Sequence, residues 1–223
     1  MISLEGLSKT FVMHGKRKVI ADDINMVFPS GVSVALLGRN GAGKSSLLAM
    51  ISGFLEPDQG RILVQGTMSW PVGFSGSFHP DLTGAQNIRF IARVYGVDTE
   101  GLSDFVRDFA DLGDHFDLPV RTYSSGMKSR LSFGVSMGVK FDTYLVDEVT
   151  AVGDADFKRK SRAVFLERMR SSGAVFVSHS MGGVRKFCQA GAVLDKGKLT
   201  YFDDVEEAIA QHSENMGGDE DDD

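Results

Sequence analysis

A glycine-rich loop between two apolar segments constrains the fold of this chain more than any other feature. Residues 32–37 form an apolar run typical of a buried strand, and residues 46–52 form a segment typical of a helix, which Gly53 ends. Between them lies the sequence Gly38-Arg39-Asn40-Gly41-Ala42-Gly43-Lys44-Ser45. The order of strand, glycine loop, Lys-Ser and helix is that of the phosphate-binding P-loop. The sequence therefore predicts a chain that binds a nucleotide.

The chemistry of this loop follows from its residue types. Glycines allow the backbone to wrap a polyphosphate so that successive N–H groups point inward. The N-terminus of the following helix adds positive potential, and the Lys44 ammonium can reach the β- and γ-phosphates. The Ser45 hydroxyl is suited to bind Mg²⁺. The residues expected to bind the nucleotide here are Gly38, Arg39, Asn40, Gly41, Ala42, Gly43, Lys44, Ser45 and Ser46.

The charge of the chain argues against a nucleic-acid partner. The net charge is −6 over 223 residues, and the segment Asp219-Glu220-Asp221-Asp222-Asp223 carries five of these charges. The remainder is close to neutral and has no overall basic excess of the kind typical of nucleic-acid binding, although a local basic patch stays open at this point. No nucleic-acid partner is expected. A clustered acidic end after two glycines indicates a disordered, solvated tail at 217–223.

Cysteine content and hydropathy bear on the compartment. Cys188 is the single cysteine, which excludes an intrachain disulfide and makes a reducing cytosol the simplest compartment. We expect its side chain to be a small buried hydrophobe. No stretch approaches the roughly 18 continuous apolar residues that cross a bilayer, so the chain is not expected to span a membrane by itself.

The remaining pattern predicts an α/β core with a helical insertion. Residues 1–30 alternate apolar and polar around a polar turn at 15–18, which indicates an antiparallel β-region. Helical spacing of apolar residues then predicts a helical subdomain at about 84–139. Strands and helices alternate after it, which favours a mainly parallel sheet covered on both faces. We expect one domain over residues 1–216.

A second motif that is typical of nucleotide-hydrolysing enzymes lies downstream of the P-loop. The segment Tyr144-Leu145-Val146-Asp147-Glu148 is an apolar strand that ends in two carboxylates. In a P-loop enzyme the first carboxylate helps to hold Mg²⁺, and the second can polarise an attacking water. Such a pair can also be an ordinary helix N-cap, but its place after a P-loop in an α/β chain favours the chemical role.

Two further segments admit both a structural and a functional interpretation. Tyr123-Ser124-Ser125-Gly126-Met127 precedes a helix rich in small residues, so it is either an anion-binding helix N-terminus or a simple cap. Residues 174–179 form a buried strand that ends in His179, a position where histidine is usually structural.

Together and in this order, these motifs resemble an ABC-type ATPase cassette over about residues 1–212. The resemblance implies an enzyme that hydrolyses ATP with Mg²⁺, on a P-loop fold with a mainly parallel sheet. It implies that Asp147 associates with Mg²⁺, that Glu148 is the catalytic base and that His179 senses the γ-phosphate. Phe11 occupies the position of the aromatic residue that stacks on adenine, with core packing as the alternative.

The same resemblance implies a head-to-tail homodimer that encloses two ATP molecules. Ser124, Ser125 and Gly126 resemble the signature loop, which contacts the γ-phosphate of ATP bound to the partner subunit. Residues 151–154 resemble the loop that crosses the dimer interface, with Asp154 at its end. ATP would close the dimer because its γ-phosphate bridges both subunits, and hydrolysis would release it.

Four segments are similar to the ATPase subunits of capsular polysaccharide exporters of Gram-negative bacteria. They are Ser69-Trp70-Pro71-Val72-Gly73, Leu82-Thr83-Gly84, and residues 122–130 and 147–154. This similarity implies an energy-coupling subunit on the cytoplasmic face of the inner membrane, bound to a separate transmembrane permease, with polysaccharide as indirect cargo. Residues 84–118 and the loop 70–78 are expected to contact that permease.

Other functions stay open at this point. Related ATPases export O-antigen or teichoic acid, and soluble ABC ATPases act on nucleic acid or ribosomes without transport. A P-loop kinase would explain residues 38–45 but not residues 124–126 or His179. The chain also lacks, at residues 70–74, the glutamine that most cassettes carry there. We therefore expect residues 70–74 to couple ATP hydrolysis to the permease through the fit between the two surfaces rather than through a glutamine side chain.

Overall fold

The computed structural model describes residues 1–13, 15–74, 76, 78–147, 154–178 and 180–217. These residues divide into two compact units. The first unit contains the described residues up to Pro71, those of 141–148 and those from 171 onward. The second contains the described residues of 72–140 and 149–170.

One sheet of the first unit is antiparallel. It consists of the strands β1 (Ile2–Met13), β2 (Lys16–Phe28) and β4 (Gln59–Val64), in the order β2-β1-β4. β1 pairs antiparallel with both of its neighbours. The predicted antiparallel β-region at the N-terminus is therefore confirmed.

The other sheet of the first unit is mainly parallel. Its strands are β3 (Ser33–Leu37), β5 (Met68–Pro71), β6 (Thr143–Asp147), β7 (Gly173–Val177), β8 (Ala190–Asp195) and β9 (Lys198–Phe202). Their order is β5-β6-β7-β3-β8-β9, and only the β8–β9 pair is antiparallel. Every residue of β3 is buried, as expected for a central strand covered on both faces. The predicted α/β class with a mainly parallel sheet is confirmed.

The hairpin between β1 and β2 differs from the prediction. Residues 15–18 read as a polar turn, yet β2 already begins at Lys16, which pairs with Met13. The pairing continues to Phe11, which lies opposite Lys18. Gly15, with φ of 77°, is the described residue of the connection and adopts the left-handed conformation that tight turns demand. The strand therefore carries three cations, at residues 16–18, that composition alone assigned to a loop.

Three helices complete the first unit. They are α1 (Lys44–Ile51), α6 (Met181–Phe187) and α7 (Val205–Gly217). α1 buries Leu47, Leu48, Met50 and Ile51 in the main apolar core, and each such side chain contributes roughly 1.5–3 kcal/mol to folding. Cys188 lies at the end of α6, where burial raises the pKa of its thiol to about 12. It is the small buried hydrophobe that the sequence predicts.

The second unit is helical. It contains α2 (Gly84–Tyr95), α3 (Thr99–Ala110), two 3₁₀ turns (Gly113–Asp117 and Val120–Thr122), α4 (Ser125–Gly138) and α5 (Ala155–Ser171), whose last residue belongs to the first unit. α2 begins with a capping box, because the Thr83 hydroxyl accepts a hydrogen bond from the Gln86 N–H and the Gln86 side chain accepts one from the Thr83 N–H. Phe109 lies at the centre of the unit among other aromatic rings.

Within the described ranges, no helix has both the length and the apolar character needed to cross a membrane. The predicted domain limits at 1–216 and 84–139 stay predictions. The predicted tail at 217–223 lies outside the described residues, apart from Gly217.

Candidate functional site

The glycine loop leaves β3 at the carboxyl edge of the parallel sheet and leads into α1. Gly43 caps α1 in the left-handed conformation, with φ of 110°. A methyl group added at Gly43 would lie 2.6 Å from the Ile20 Cγ2 atom, and one added at Gly38 would lie 2.5 Å from the Leu194 carbonyl oxygen. These close approaches explain why the sequence has glycine at both positions. They leave a concave backbone surface of the kind that cradles phosphates.

Lys44 lies over this cradle. Its Nζ atom donates hydrogen bonds to the carbonyl oxygens of Gly38, at 2.7 Å, and Arg39, at 3.0 Å. The loop therefore holds the ammonium directly above its own backbone, at the positive end of α1. Ser45 and Ser46 follow in the first turn of α1, where Ser45 is exposed and Ser46 is half-buried. This arrangement brings the predicted phosphate-binding residues together.

A cavity of about 340 Å³ opens beside the loop. It is lined by Phe11, Lys18, Ile20, Asn40, Gly41, Gly43, Lys44, Ser45, Ser46 and Val177. The structure thus places Phe11 next to the P-loop, half-buried, with part of its ring packed against the core. The sequence analysis missed Lys18 and Ile20, although the two-residue period of a strand places both on one face of β2.

Asp147 lies on the same edge of the sheet. It ends β6, where it pairs with Val177 of β7. β7 separates β6 from β3, so Asp147 lies two strand spacings, roughly 10 Å, from the strand that leads into the P-loop. The carboxyl ends of parallel strands are the usual place for ligands in such sheets.

The donor atoms at this edge fit a Mg²⁺–triphosphate. The Ser45 hydroxyl and the Asp147 carboxylate are hard oxygen ligands, which Mg²⁺ prefers. The glycine cradle, which a side chain would fill, leaves room for phosphate oxygens. The described residues contain no group of three or more His, Cys, Asp or Glu side chains that could hold a metal alone.

Glu148 and His179 lie outside the described residues, as do residues 151–153. The roles inferred for them therefore stay predictions. In the sequence, Glu148 directly follows Asp147, the last residue of β6, and His179 comes two residues after Val177, the last residue of β7.

Ser124, Ser125 and Gly126 lie in the second unit, at the start of α4. The Ser124 hydroxyl accepts a hydrogen bond from the Met127 N–H at 3.2 Å, so Ser124 is the N-cap. Within one chain, this segment is therefore a helix cap, which is the structural one of its two interpretations. Ser124 and Ser125 are also exposed at the positive end of a 14-residue helix, where an anion from outside the chain could bind.

Asp154 is tied to the same helix. Its carboxylate pairs with the Arg130 guanidinium at 2.6 Å and accepts a hydrogen bond from the Phe157 N–H at 2.9 Å. The backbone N–H of Phe157, with the nearby Arg130 charge, holds the pKa of Asp154 below its ordinary value. Arg130 also lies 4.8 Å from the Phe157 ring. The sequence analysis did not single out Arg130, which follows Gly126 by one helical turn.

Comparison with known proteins agrees with this architecture. The family model described as ABC transporter matches residues 21–151. The polysialic acid transport ATP-binding protein KpsT of Escherichia coli is 47% identical over 95% of this chain and 96% of that protein. The capsule polysaccharide export ATP-binding protein CtrD of Neisseria meningitidis is 41% identical over 96% of this chain and 99% of that protein.

A solved structure shares the fold. A dimeric ATP-binding cassette in a post-hydrolysis state, bound to ADP and phosphate, superposes with a TM-score of 0.71 at 19% identity, over 92% of this chain and 99% of that one. The family match spans more than half of the chain, and relatives above 40% identity cover nearly all of it. This chain belongs to the ABC transporter family, as an ATP-binding cassette.

Proposed function

We propose that this chain is the ATP-hydrolysing, energy-coupling subunit of an ABC exporter that moves capsular polysaccharide out of the bacterial cytoplasm. The observation that carries the proposal is the cavity where Phe11, Lys44 and Ser45 meet, beside the strand that ends in Asp147. The relatives named for polysialic acid transport and capsule export match over almost their whole length, which favours this cargo.

Each residue of the site has a proposed task in hydrolysis. Lys44 and the loop backbone bind the β- and γ-phosphates, and Phe11 stacks on the adenine. Ser45 and Asp147 hold Mg²⁺, which when bound neutralises charge on the phosphate oxygens. Glu148 accepts a proton from the attacking water, and His179 contacts the γ-phosphate.

We further propose that two copies of the chain share each ATP. The P-loop and Asp147 of one copy supply one side of the site, and Ser124, Ser125 and Gly126 of the other supply the second side. The exposed N-terminus of α4 supports this arrangement, because its capped first turn presents positive potential to solvent. Asp154, held to α4 by Arg130, is proposed to lie at the interface between the copies.

Mixing two inactive variants tests the shared site. Lys44→Ala removes the ammonium, and Gly126→Asp places a carboxylate where the γ-phosphate of the other copy would bind. Among the described residues, a methyl group added at Gly126 has only the Ser124 hydroxyl within 4 Å, at 3.9 Å, so the fold should tolerate the change. We expect each variant alone to keep about 1% of wild-type hydrolysis.

An equal mixture should recover about a quarter of the wild-type activity, because half of the dimers are mixed and each has one intact site. Steady-state phosphate release measures this recovery. A matched mixture of Lys44→Ala with wild-type chain, and of Gly126→Asp with wild-type chain, calibrates exchange between dimers. If the two variants exchange subunits but their mixture hydrolyses ATP no faster than either variant alone, the shared site is contradicted.

We propose that the outer face of α2 contacts the permease and holds the chain at the cytoplasmic side of the inner membrane. Phe90 and Val94 are each 61% exposed and lie one helical turn apart. Arg89 and Arg93 lie beside them, exposed, with no ion pair among the described residues. Helix α2 itself contains no acidic residue. The face therefore fits a cytoplasmic permease helix that carries apolar and acidic side chains.

Phe90→Asp should weaken this contact by at least about tenfold, since buried aromatic anchors dominate such interfaces. Co-purification of the chain with its permease, followed by transport in vesicles, measures the effect. Met216→Asp is the matched control, because Met216 is 50% exposed on another helix, α7. In the absence of the permease, both variants should hydrolyse ATP at the rate of the wild-type subunit. Equal permease recovery for the two variants would exclude the α2 face as the docking surface.

A further inference from the structure

Strand β2 runs alongside the P-loop and touches it at two matching positions. Ile20 packs against Gly43, where an added methyl group would lie 2.6 Å from its Cγ2 atom. Two residues earlier, the Lys18 Nζ atom would lie 3.3 Å from a methyl group added at Gly41. Because side chains two residues apart lie on the same face of a strand, Lys18 and Ile20 both face the P-loop. Lys18 thus places an ammonium directly beside the phosphate cradle.

Lys18 also lies directly opposite the residue expected to bind the base. The register of the hairpin pairs Phe11 of β1 with Lys18 of β2, and both side chains line the 340 Å³ cavity. Side chains of directly opposed residues start about 5 Å apart. The hairpin therefore presents an aromatic ring and a cation side by side. The ring can stack on the base of a nucleotide, and the cation can pair with its phosphates.

The part of the cavity lining that the structure describes carries positive charge. Lys18 and Lys44 both line the cavity, and none of the ten described lining residues is acidic. Two other lysines of this unit form ion pairs, Lys9 with Asp58 and Lys198 with Asp22. Lys18 has no carboxylate partner among the residues that the structure describes. Two cations that line one cavity create a local positive field that attracts an anion.

We propose that Lys18 is a second phosphate-binding cation, which contacts the phosphate chain of the nucleotide from the β2 side while Lys44 contacts it from the P-loop side. The inference rests on the proposed function, in that the cavity must hold a nucleoside triphosphate. Lys18 acts on binding rather than on the chemical step, because it lies beside Gly41 of the P-loop and opposite Phe11. It therefore stabilises bound substrate and transition state alike.

The test compares Lys18→Gln, Lys18→Arg and the matched control Arg17→Gln. Arg17 is the adjacent exposed cation of β2 and lines a different cavity, so its removal changes the net charge equally. Binding of ATP is measured by titration with and without added salt, together with KM, kcat and the melting temperature. A charge-assisted contact of this kind predicts about tenfold weaker ATP binding in Lys18→Gln.

We expect KM for ATP to rise about tenfold in Lys18→Gln with kcat within about twofold of wild type, and the salt dependence of binding to become shallower. Lys18→Arg should restore most of the affinity, and Arg17→Gln should bind as wild type does. Wild-type affinity in Lys18→Gln would overturn the inference, as would an equal loss in Arg17→Gln or a loss that tracks a lowered melting temperature. Failure of the wild-type chain to bind ATP would instead overturn the proposed function.

Discussion

ATP hydrolysis is expected to fall by at least about a hundredfold when Lys44 is replaced by alanine. The Lys44 ammonium is held over the glycine loop by two backbone carbonyls, at 2.7 and 3.0 Å. It is thus oriented before the nucleotide binds, so we expect its charge to stabilise the γ-phosphate at little cost of reorganisation. Phosphate release at saturating ATP measures the loss.

Lys44→Arg should not rescue this activity. The planar guanidinium is larger than an ammonium and cannot occupy the same place between the Gly38 and Arg39 carbonyls. Lys140→Ala is the control, since Lys140 is an exposed lysine outside the site. Hydrolysis within a few fold of wild type in Lys44→Ala would exclude Lys44 from phosphate binding.

Phe109→Ala should lower the free energy of unfolding of the second unit by about 3–5 kcal/mol. Phe109 is only 1% exposed, and the rings of Phe105, Phe133 and Phe157 surround it at centroid distances of 5.3–5.8 Å. Gly134 of α4 allows this packing, because a methyl group there would lie 3.1 Å from the Phe109 ring. Removal of the ring leaves a cavity that three rigid neighbours cannot fill.

The measurement is a urea titration followed by far-ultraviolet circular dichroism. Phe90→Ala serves as the control, because Phe90 has the same side chain but is 61% exposed, and its loss should change stability by less than about 0.5 kcal/mol. A loss below about 1 kcal/mol for Phe109→Ala would show that the second unit does not depend on this aromatic cluster.

The sequence predicted best those parts of the site that are local along the chain. The P-loop is continuous from Gly38 to Ser45, so its spacing alone specifies the turn, the cation and the helix start. Asp147 was predictable because it ends an apolar strand, and strand ends of a parallel sheet share one edge.

The parts that escaped prediction depend on pairing between distant segments. Lys18 belongs to a run of three cations that reads as a solvated turn, whereas in the structure it pairs with Phe11 and lies beside Gly41 of the P-loop. Arg130 lies on a helix whose sequence does not indicate a partner 24 residues away, yet it pairs with Asp154. Composition and periodicity describe one element at a time, whereas these contacts require two.

The burial of Cys188 has a practical consequence. Burial raises the pKa of this thiol to about 12, so almost no thiolate forms there at neutral pH, and the sulfur is enclosed as well. Maleimide dyes and thiol-directed spin labels should therefore not react with Cys188 in the folded chain. A single cysteine introduced at Lys140, which is exposed and lies outside the proposed site, would be the one cysteine to accept such a probe, so subunit association could be followed by fluorescence without a label in the site.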